Sequence, residues 1–411
     1  MRPFFSFLLL NLLSPGPMGR GSAEGLIGQL LVACGFLSAM AAIAAEEDPR
    51  LLERRLEKEK TAQRAGVERA LSKEMPAELQ ALPVFGRIEW TVKELPFIAK
   101  GPHGGISGAG MAVVDGRIYL AGGFIPAGDE TQDIGRRTSR WAHRYDPKTD
   151  EWTALPHLPA RREYTRAVGT ESAFIILGGS VQGKPGQPGA EVFWLDATPS
   201  EPAWQTLPPL SVARSHLSVG IAGSQIIAVG GNHYDYADKG YSPRTIQGLT
   251  ERLDLNAIER GWQRCAPIPG HPRGWSASAV LKGHFYLLGG VTWTDTARLR
   301  LMETLRYDPP ADRWQRLADF PVPISGWEAD VFAERYLIAV GGAARHWNDV
   351  PFVYDTQIDR WMRIASPLPP GGMFNDPGVC IMGDTIYVIG GEGPGGSHFN
   401  YFLIGQIKPA A

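Results

Sequence analysis

Three arginines recur at equivalent places along this chain, Arg162, Arg214 and Arg273, each two residues before a ring: Tyr164, His216 and Trp275. Three further segments at the matching place in a repeated unit carry Trp327 with Glu328, Phe374 with Asn375, and His103. A guanidinium offers a planar fork of donors that fits a carboxylate, so arginines that converge favour an anion. Each arginine also has a structural alternative, bridging neighbouring units or capping loop carbonyls. The scaffold that positions them decides between the two.

That scaffold is visible in six glycine pairs, Gly122-Gly123, Gly178-Gly179, Gly230-Gly231, Gly289-Gly290, Gly341-Gly342 and Gly390-Gly391, spaced 49 to 59 residues apart. Each pair ends a short apolar run, and a repeat of this period overrides any domain count drawn from length alone. In the first unit Met111–Val114 reads as a strand, Asp115-Gly116 as a two-residue turn and Arg117–Ala121 as the next strand. A long polar loop follows, then a strand ending Tyr145-Asp146-Pro147 and a short turn to Trp152. Later units repeat this with Leu195-Asp196 and Trp204, Leu253-Asp254 and Trp262, Tyr307-Asp308 and Trp314, and Tyr354-Asp355 and Trp361. The pattern predicts four antiparallel strands per unit.

Di-glycine, aromatic-Asp and spaced Trp, in that order, resemble the kelch repeat over roughly residues 85–407. The resemblance implies an all-β fold of four-stranded blades packed radially into a propeller. Glycines belong where blades crowd and a Cβ would clash, and the Trp gives an outer strand an apolar face to bury. The sixth unit has no such Trp, whereas Trp90, in Arg87-Ile88-Glu89-Trp90-Thr91-Val92, has no unit of its own. The expectation is six blades, with the N-terminal strand completing the last blade and closing the ring.

In such a meander one face carries the tight turns, and the other carries the long loops 124–140, 180–190, 232–247 and 291–302. Long loops on a rigid scaffold are where binding groups sit. Trp141, Trp275, Trp293, Trp327 and Trp347 fall on that face. They either pack loop against loop or offer rings to the apolar side of a sugar.

The net charge of -2 argues against nucleic acid as a main partner, and no glycine loop between strand and helix suggests a nucleotide cofactor, so none is expected. No cluster with zinc-ligand spacing occurs, and Cys265 and Cys380 read as unpaired thiols. Leu26 to Ala45 is nearly all apolar, after Arg20 and before Glu46-Glu47-Asp48, which reads as a signal peptide in residues 1–45 with Met1 or Met18 as start. An uncleaved membrane tether is the alternative; Leu31-Val32-Ala33-Cys34 resembles a lipoprotein box, but the chain stays apolar beyond it. Either way the folded part is expected to be periplasmic or secreted. Residues 46–84 alternate acidic and basic side chains and read as a charged helical linker, leaving 85–411 for the propeller.

Six kelch blades behind a leader resemble the bacterial N-acetylneuraminate epimerases, enzymes that interconvert the anomers of sialic acid. Their third-blade loop carries an acid six residues before an arginine. Here the loop reads Asp238-Lys239-Gly240-Tyr241-Ser242-Pro243-Arg244-Thr245, with Asp for the family's Glu, proline nearer the arginine, and two extra residues before Asp254. The resemblance implies Arg244 as the matching arginine and Asp238 at the acid's place. Anomer exchange needs groups to move a proton between the anomeric hydroxyl and the ring oxygen, and an anchor for the carboxylate. On that reading Asp238, Arg244 and Glu328 are catalytic. Arg162, Arg214, His216, Arg273, Trp275, Trp327, Asn375 and His103 would line the site of a small sugar. The rival expectation is a non-catalytic module that holds a glycan or a protein.

Overall fold

The computed structural model of the chain describes residues 74–98, 104–125, 138–181, 187–199, 202–233, 242–295, 297–344, 346, 348–369, 375–393 and 397–410. They all belong to the second of two compact units, Val67–Ala411. The leader, most of the charged stretch, His103, Asp238, Trp347 and Phe374 lie outside the described residues. Among the described residues no helix is long and apolar enough to cross a membrane.

Short runs of alternating or wholly apolar residues pair through tight turns into antiparallel meanders. Gly110–Val114 and Arg117–Ala121 join at Asp115-Gly116, both with positive φ (48° and 67°), the mirror-image turn that suits the twist of a hairpin. Ala142–Asp146 and Glu151–Ala154 complete that first sheet. The second holds Arg166–Gly169, Ala173–Leu177, Val192–Asp196 and Trp204–Leu207. The third holds Ser218–Ala222, Gln225–Val229, Thr250–Asp254 and Gln263–Arg264, and the fourth Ala277–Leu281, His284–Leu288, Thr304–Asp308 and Arg313–Arg316.

Among the described residues two short hairpins, Ser180–Val181 with Gln187–Pro188 and Val291–Trp293 with Arg298–Arg300, stand apart, and the remaining strands form one eight-stranded sheet. Its order is Ser325–Phe332, Tyr336–Ala343, Phe352–Asp355, Arg360–Ile364, Val84–Glu94, Tyr401–Pro409, Thr385–Ile389 and Gly378–Met382. The N-terminal strand runs antiparallel to Tyr401–Pro409 from Gly86↔Pro409 to Glu94↔Tyr401, so that Trp90 faces Gly405. A Cβ on Gly405 would come within 2.7 Å of the Trp90 ring, which is why glycine stands there. The other edge touches Arg360–Ile364 only at Val84↔Arg363 and Gly86↔Ile364.

The arrangement is propeller-like, because hydrophobic clusters straddle adjoining sheets, and one more packs the two halves of the eight-stranded sheet together. Val114 and Tyr119 meet Phe174 and Ile176, Ile175 meets Ile226 and Leu253, and Ile227 meets Phe285 and Tyr307. The first strands of successive meanders touch in order: Gly110–Val114, Arg166–Gly169, Ser218–Ala222, Ala277–Leu281, Ser325–Phe332, Gly378–Met382 and Gly110–Val114 again. The repeated tryptophans staple neighbours together. Trp204, Trp262, Trp314 and Trp361 donate their Nε1–H to Pro156, Pro208, Ala266 and Ala318 carbonyls of the preceding unit, at 2.7, 2.8, 2.9 and 3.1 Å.

The glycine pairs mark the crowding between units. At Gly230 φ is 61° and a Cβ would lie 2.2 Å from the Arg273 carbonyl oxygen, which accepts the Gly231 N–H at 2.8 Å. Gly390 stands the same way against Ile106, 2.1 Å from its carbonyl oxygen, so the last pair grips the first unit.

The end of the charged stretch is not all solvated. Leu79, in the one-turn helix Ala77–Gln80, is fully buried beside Phe320, Trp327 and Trp361, and Met75 and Leu82 on either side of that turn pack against the same cluster. Cys265 and Cys380 are both unpaired.

Candidate functional site

Six backbone positions form a hydrogen-bonded circle at one end of the innermost strands: Gly108, Tyr164, His216, Trp275, Gly326 and Asp376, all with positive φ between 47° and 82°. Gly108 N–H donates to the Asp376 carbonyl (3.0 Å), Asp376 N–H to Gly326 (3.0 Å) and Gly326 N–H to Trp275 (2.8 Å). Trp275 N–H donates to His216 (3.1 Å), His216 N–H to Tyr164 (3.1 Å), and Thr165 N–H returns to Gly108 (3.3 Å). Four of the six are not glycine, and each such residue costs roughly 1–2 kcal/mol in this conformation. Strain of this kind collects where side chains must be held for a purpose.

One arc of the circle is aromatic. His216 stacks on Trp275 at 3.7 Å and on Tyr164 at 4.2 Å, and Trp293 leans on Trp275 at 5.3 Å. The other arc is acidic. Glu392 accepts hydrogen bonds from Tyr164 Oη and Asn375 Nδ2, both at 3.3 Å, and lies 3.7 Å from His398 Nε2. Glu163, only 2% exposed, accepts from Thr138 Oγ1 at 3.0 Å. Burial pushes its carboxyl up to about 8, against the pull of the Thr138 hydroxyl and with help from the Glu392 charge.

Below the circle the inner strands enclose a cavity of about 350 Å³, lined by small residues such as Ala109, Ala167 and Gly220 and by Arg166, Glu328 and Asp330. Arg166 bridges Glu328 at 2.6 Å and Asp376 at 3.2 Å. Burial raises Glu328 to about 7 and Asp376 to about 6, each partly offset by Arg166. Burial acts the opposite way on Arg166, but the two carboxylates outweigh it and raise the guanidinium. The arginine is charged in either case, so the carboxyls carry the cost of the buried cluster. Asp330 is raised to about 6 by burial and accepts the Val331 and Ile381 N–H groups at 2.7 Å.

The expected site residues separate in this frame. His216 and Trp275 come together at the rim, Asn375 joins the acidic arc, and Glu328 points into the cavity. Arg162, Arg214 and Arg273 are buried and pair with Glu191, Glu251 (2.8 Å) and Glu303 (3.3 Å) of their own units. Each also caps a nearby carbonyl: Arg161, Val212, and His271 with Gly289. Trp327 lies between sheets, stacked on Trp361 and donating to the Leu288 carbonyl. Arg244 is exposed on its loop. Glu163, which stands between Arg162 and Tyr164, and Arg166, Asp376 and Glu392 belong to the site without a repeated spacing that marks them in the sequence. The register that places Tyr164, His216 and Trp275 on the circle selects Gly326 and Asp376, not Trp327 and Asn375.

Residues 106–159 match the kelch motif, and they span the first sheet with its lead-in. The repeat of this chain is a kelch repeat. The chain is 30% identical over 285 residues to Kelch-like protein terF of Aspergillus terreus, covering 68% of this chain and 57% of that protein. It is 29% identical over 195 residues to Kelch-like protein 36 of Bos taurus, covering 46% and 29%. Against N-acetylneuraminate epimerase of Yersinia enterocolitica it is 40% identical over 70 residues, 16% of this chain and 18% of that protein. The kelch chain thus spans little more than half of the first relative's length and less than a third of the second's.

The kelch rim makes a pH-dependent prediction. Glu163 is protonated more readily folded than unfolded, so its stability contribution is present below the ordinary carboxyl range and is lost as pH rises through about 8. Glu163→Gln keeps the acceptor for Thr138 and removes the charge. The variant is expected to match the wild type at pH 5 and to exceed it by about 1–3 kcal/mol at pH 9. Urea unfolding at the two pH values checks this, and equal stability at pH 9 would refute a buried, charge-averse carboxyl.

Proposed function

We propose that this chain is a six-bladed kelch propeller, closed by its N-terminal strand, that acts as a non-catalytic binding module. Its long-loop rim would hold a glycan or a partner protein. The six-bladed reading rests on the closed circle of backbone hydrogen bonds and the antiparallel pairing of Val84–Glu94 with Tyr401–Pro409. The binding reading is carried by the arginines: the three that an anion clamp would need are committed to Glu191, Glu251 and Glu303. A match extending over 285 residues of a kelch-like protein, against 70 of an epimerase, weighs the same way.

One arrangement favours a second reading, the sialic acid mutarotase. Glu328 and Asp376 both titrate near neutrality beside Arg166 at the cavity, which suits general acid–base transfer between a hydroxyl and a ring oxygen. The two readings part in one experiment. N-acetylneuraminate anomer exchange, followed by NMR, should proceed at its spontaneous rate with the purified chain. Acceleration that falls in Glu328→Gln or Arg244→Ala would replace the binding reading with the enzymatic one. A thermal-shift screen against acidic and neutral sugars is the companion measurement, since a ligand that binds only the folded state raises its melting temperature. Export is part of the proposal, resting on the apolar stretch Leu26 to Ala45; cell fractionation tests it.

A further inference from the structure

The hairpin Val291–Trp293/Arg298–Arg300 rises from the fourth sheet on the long-loop face, with Val291 opposite Arg300 and Trp293 opposite Arg298. Directly opposed residues share a face, and so do residues two apart on one strand. Val291, Trp293, Arg298 and Arg300 therefore lie on the same side. That side turns to the rim, because Trp293 leans on Trp275 of the backbone circle. Arg298 lies over the Trp293 ring at 5.4 Å.

Arg300 differs from the buried arginines of the inner strands and the segments that enter them. Arg162, Arg166, Arg214 and Arg273 each have a carboxylate. Arg300 is half-buried, and its Nε is shut off from solvent with no hydrogen-bond partner among the described residues. Burial holds its guanidinium below the ordinary value, with no carboxylate opposing that. A charge partly taken out of water without a counter-charge is costly, and native chains tend to pair such groups. Asn232, which follows the glycine pair of the third unit as Val291 follows that of the fourth, is fully buried, and neither of its amide atoms has a partner among the described residues.

We propose that Arg300 is the anchor of a carboxylate-binding site on the rim, in which the carboxylate meets the guanidinium and the body that carries it lies along Trp293. This inference rests on the rim-binding reading and names its chemistry: the ligand brings the anion that the fold omits. The carboxylate comes from a sugar acid or from an acidic peptide segment, and Arg300 serves either in the same way. A residue kept for a ligand at the expense of the empty fold has a signature, since removing it abolishes binding and relieves the apo protein.

Calorimetric titration of the full chain at low ionic strength, with glucuronate and with a tetraglutamate peptide, tests the site. One of the two is expected to bind saturably, and which one identifies the source. Arg300→Met should weaken that binding by about ten- to a hundredfold, the range for hydrogen bonds to a charged group. Arg300→Lys should recover part of it, and Arg306→Met, a substitution of a surface arginine that bonds Gln315, should leave it unchanged. The ligand-free Arg300→Met protein should melt at or above the wild type. The proposal is overturned if neither probe binds, if Arg300→Met binds as well as the wild type, or if it melts lower, because the guanidinium is then paired internally. Saturable stabilisation by a neutral sugar, undiminished in Arg300→Met, would leave the rim reading standing and remove this one.

Discussion

A chain lacking residues 84–94 is expected to lose its cooperative unfolding transition, or to melt lower by about 10–20 °C and aggregate. The strand supplies nine consecutive register partners to Tyr401–Pro409, and among the described residues no other strand pairs with that edge. It also buries Phe85 and Ile88, and packs Trp90, against Ile338, Ile386, Leu403 and Ile407. Each such apolar side chain contributes about 1.5–3 kcal/mol, so three of them approach the ~5–15 kcal/mol total of an ordinary domain. The deletion also exposes Tyr401–Pro409 as a free edge carrying Phe402, Leu403 and Ile407, a template for pairing between molecules. Two milder variants separate closure from bulk loss. A peptide of residues 74–98 added in trans should raise the melting point of the deleted chain. Gly405→Val, which drives a side chain into Ile88 and Trp90 (2.4 and 2.7 Å from a Cβ), should cost about 1–3 kcal/mol. A deleted chain that melts as the intact one does would mean that this strand does not close the ring.

The parts of this molecule that could be read from sequence are those that repeat. Gly230, Trp262 and Asp254 each do the same job in several units, so type and spacing identify them without a structure. Trp90 stands out for the converse reason, as a repeated feature with no unit of its own, and its strand pairs with Tyr401–Pro409. The rim was less legible, because what matters there departs from the repeat. Arg214 was singled out for its position, but its partner Glu251 lies in the third strand of the unit and is chosen by folding, not by spacing. Trp327 and Glu328 stand at the matching place by count along the unit, while the backbone circle takes Gly326 and sends Glu328 one step deeper. Leu79 was hidden at the end of a charged stretch, where a single turn of helix is too short for an apolar period to show. Arg300 carries no signal in the sequence, since what singles it out is that no carboxylate pairs with it among the described residues.

Replacing Arg166 is expected to expose how the centre of the propeller balances its charge. The guanidinium holds Glu328 at 2.6 Å and Asp376 at 3.2 Å, with side chains 9%, 15% and 0% exposed. Arg166→Met keeps most of the volume and leaves two carboxyls without a cation. Breaking a buried pair in this way typically costs about 3–5 kcal/mol, because the remaining charge is uncompensated. The carboxyls can escape by taking up protons, and this fixes the sign. Glu328 and Asp376 are already raised to about 7 and about 6, so the stability they contribute is complete below the unfolded carboxyl range and is lost as pH rises through those values. Without Arg166 both shift further upward, and stability falls more steeply between pH 5 and pH 8. The variant should lose about 1 kcal/mol at pH 5 and about 3 kcal/mol or more at pH 8 in urea unfolding. Adding Glu328→Gln and Asp376→Asn should restore most of the loss at pH 8 while changing little at pH 5. A penalty equal at both pH values would show that Arg166 matters for packing along its stem and not for its charge. The cavity would then tolerate two buried carboxylates unaided, which the physics of an enclosed, low-dielectric site opposes.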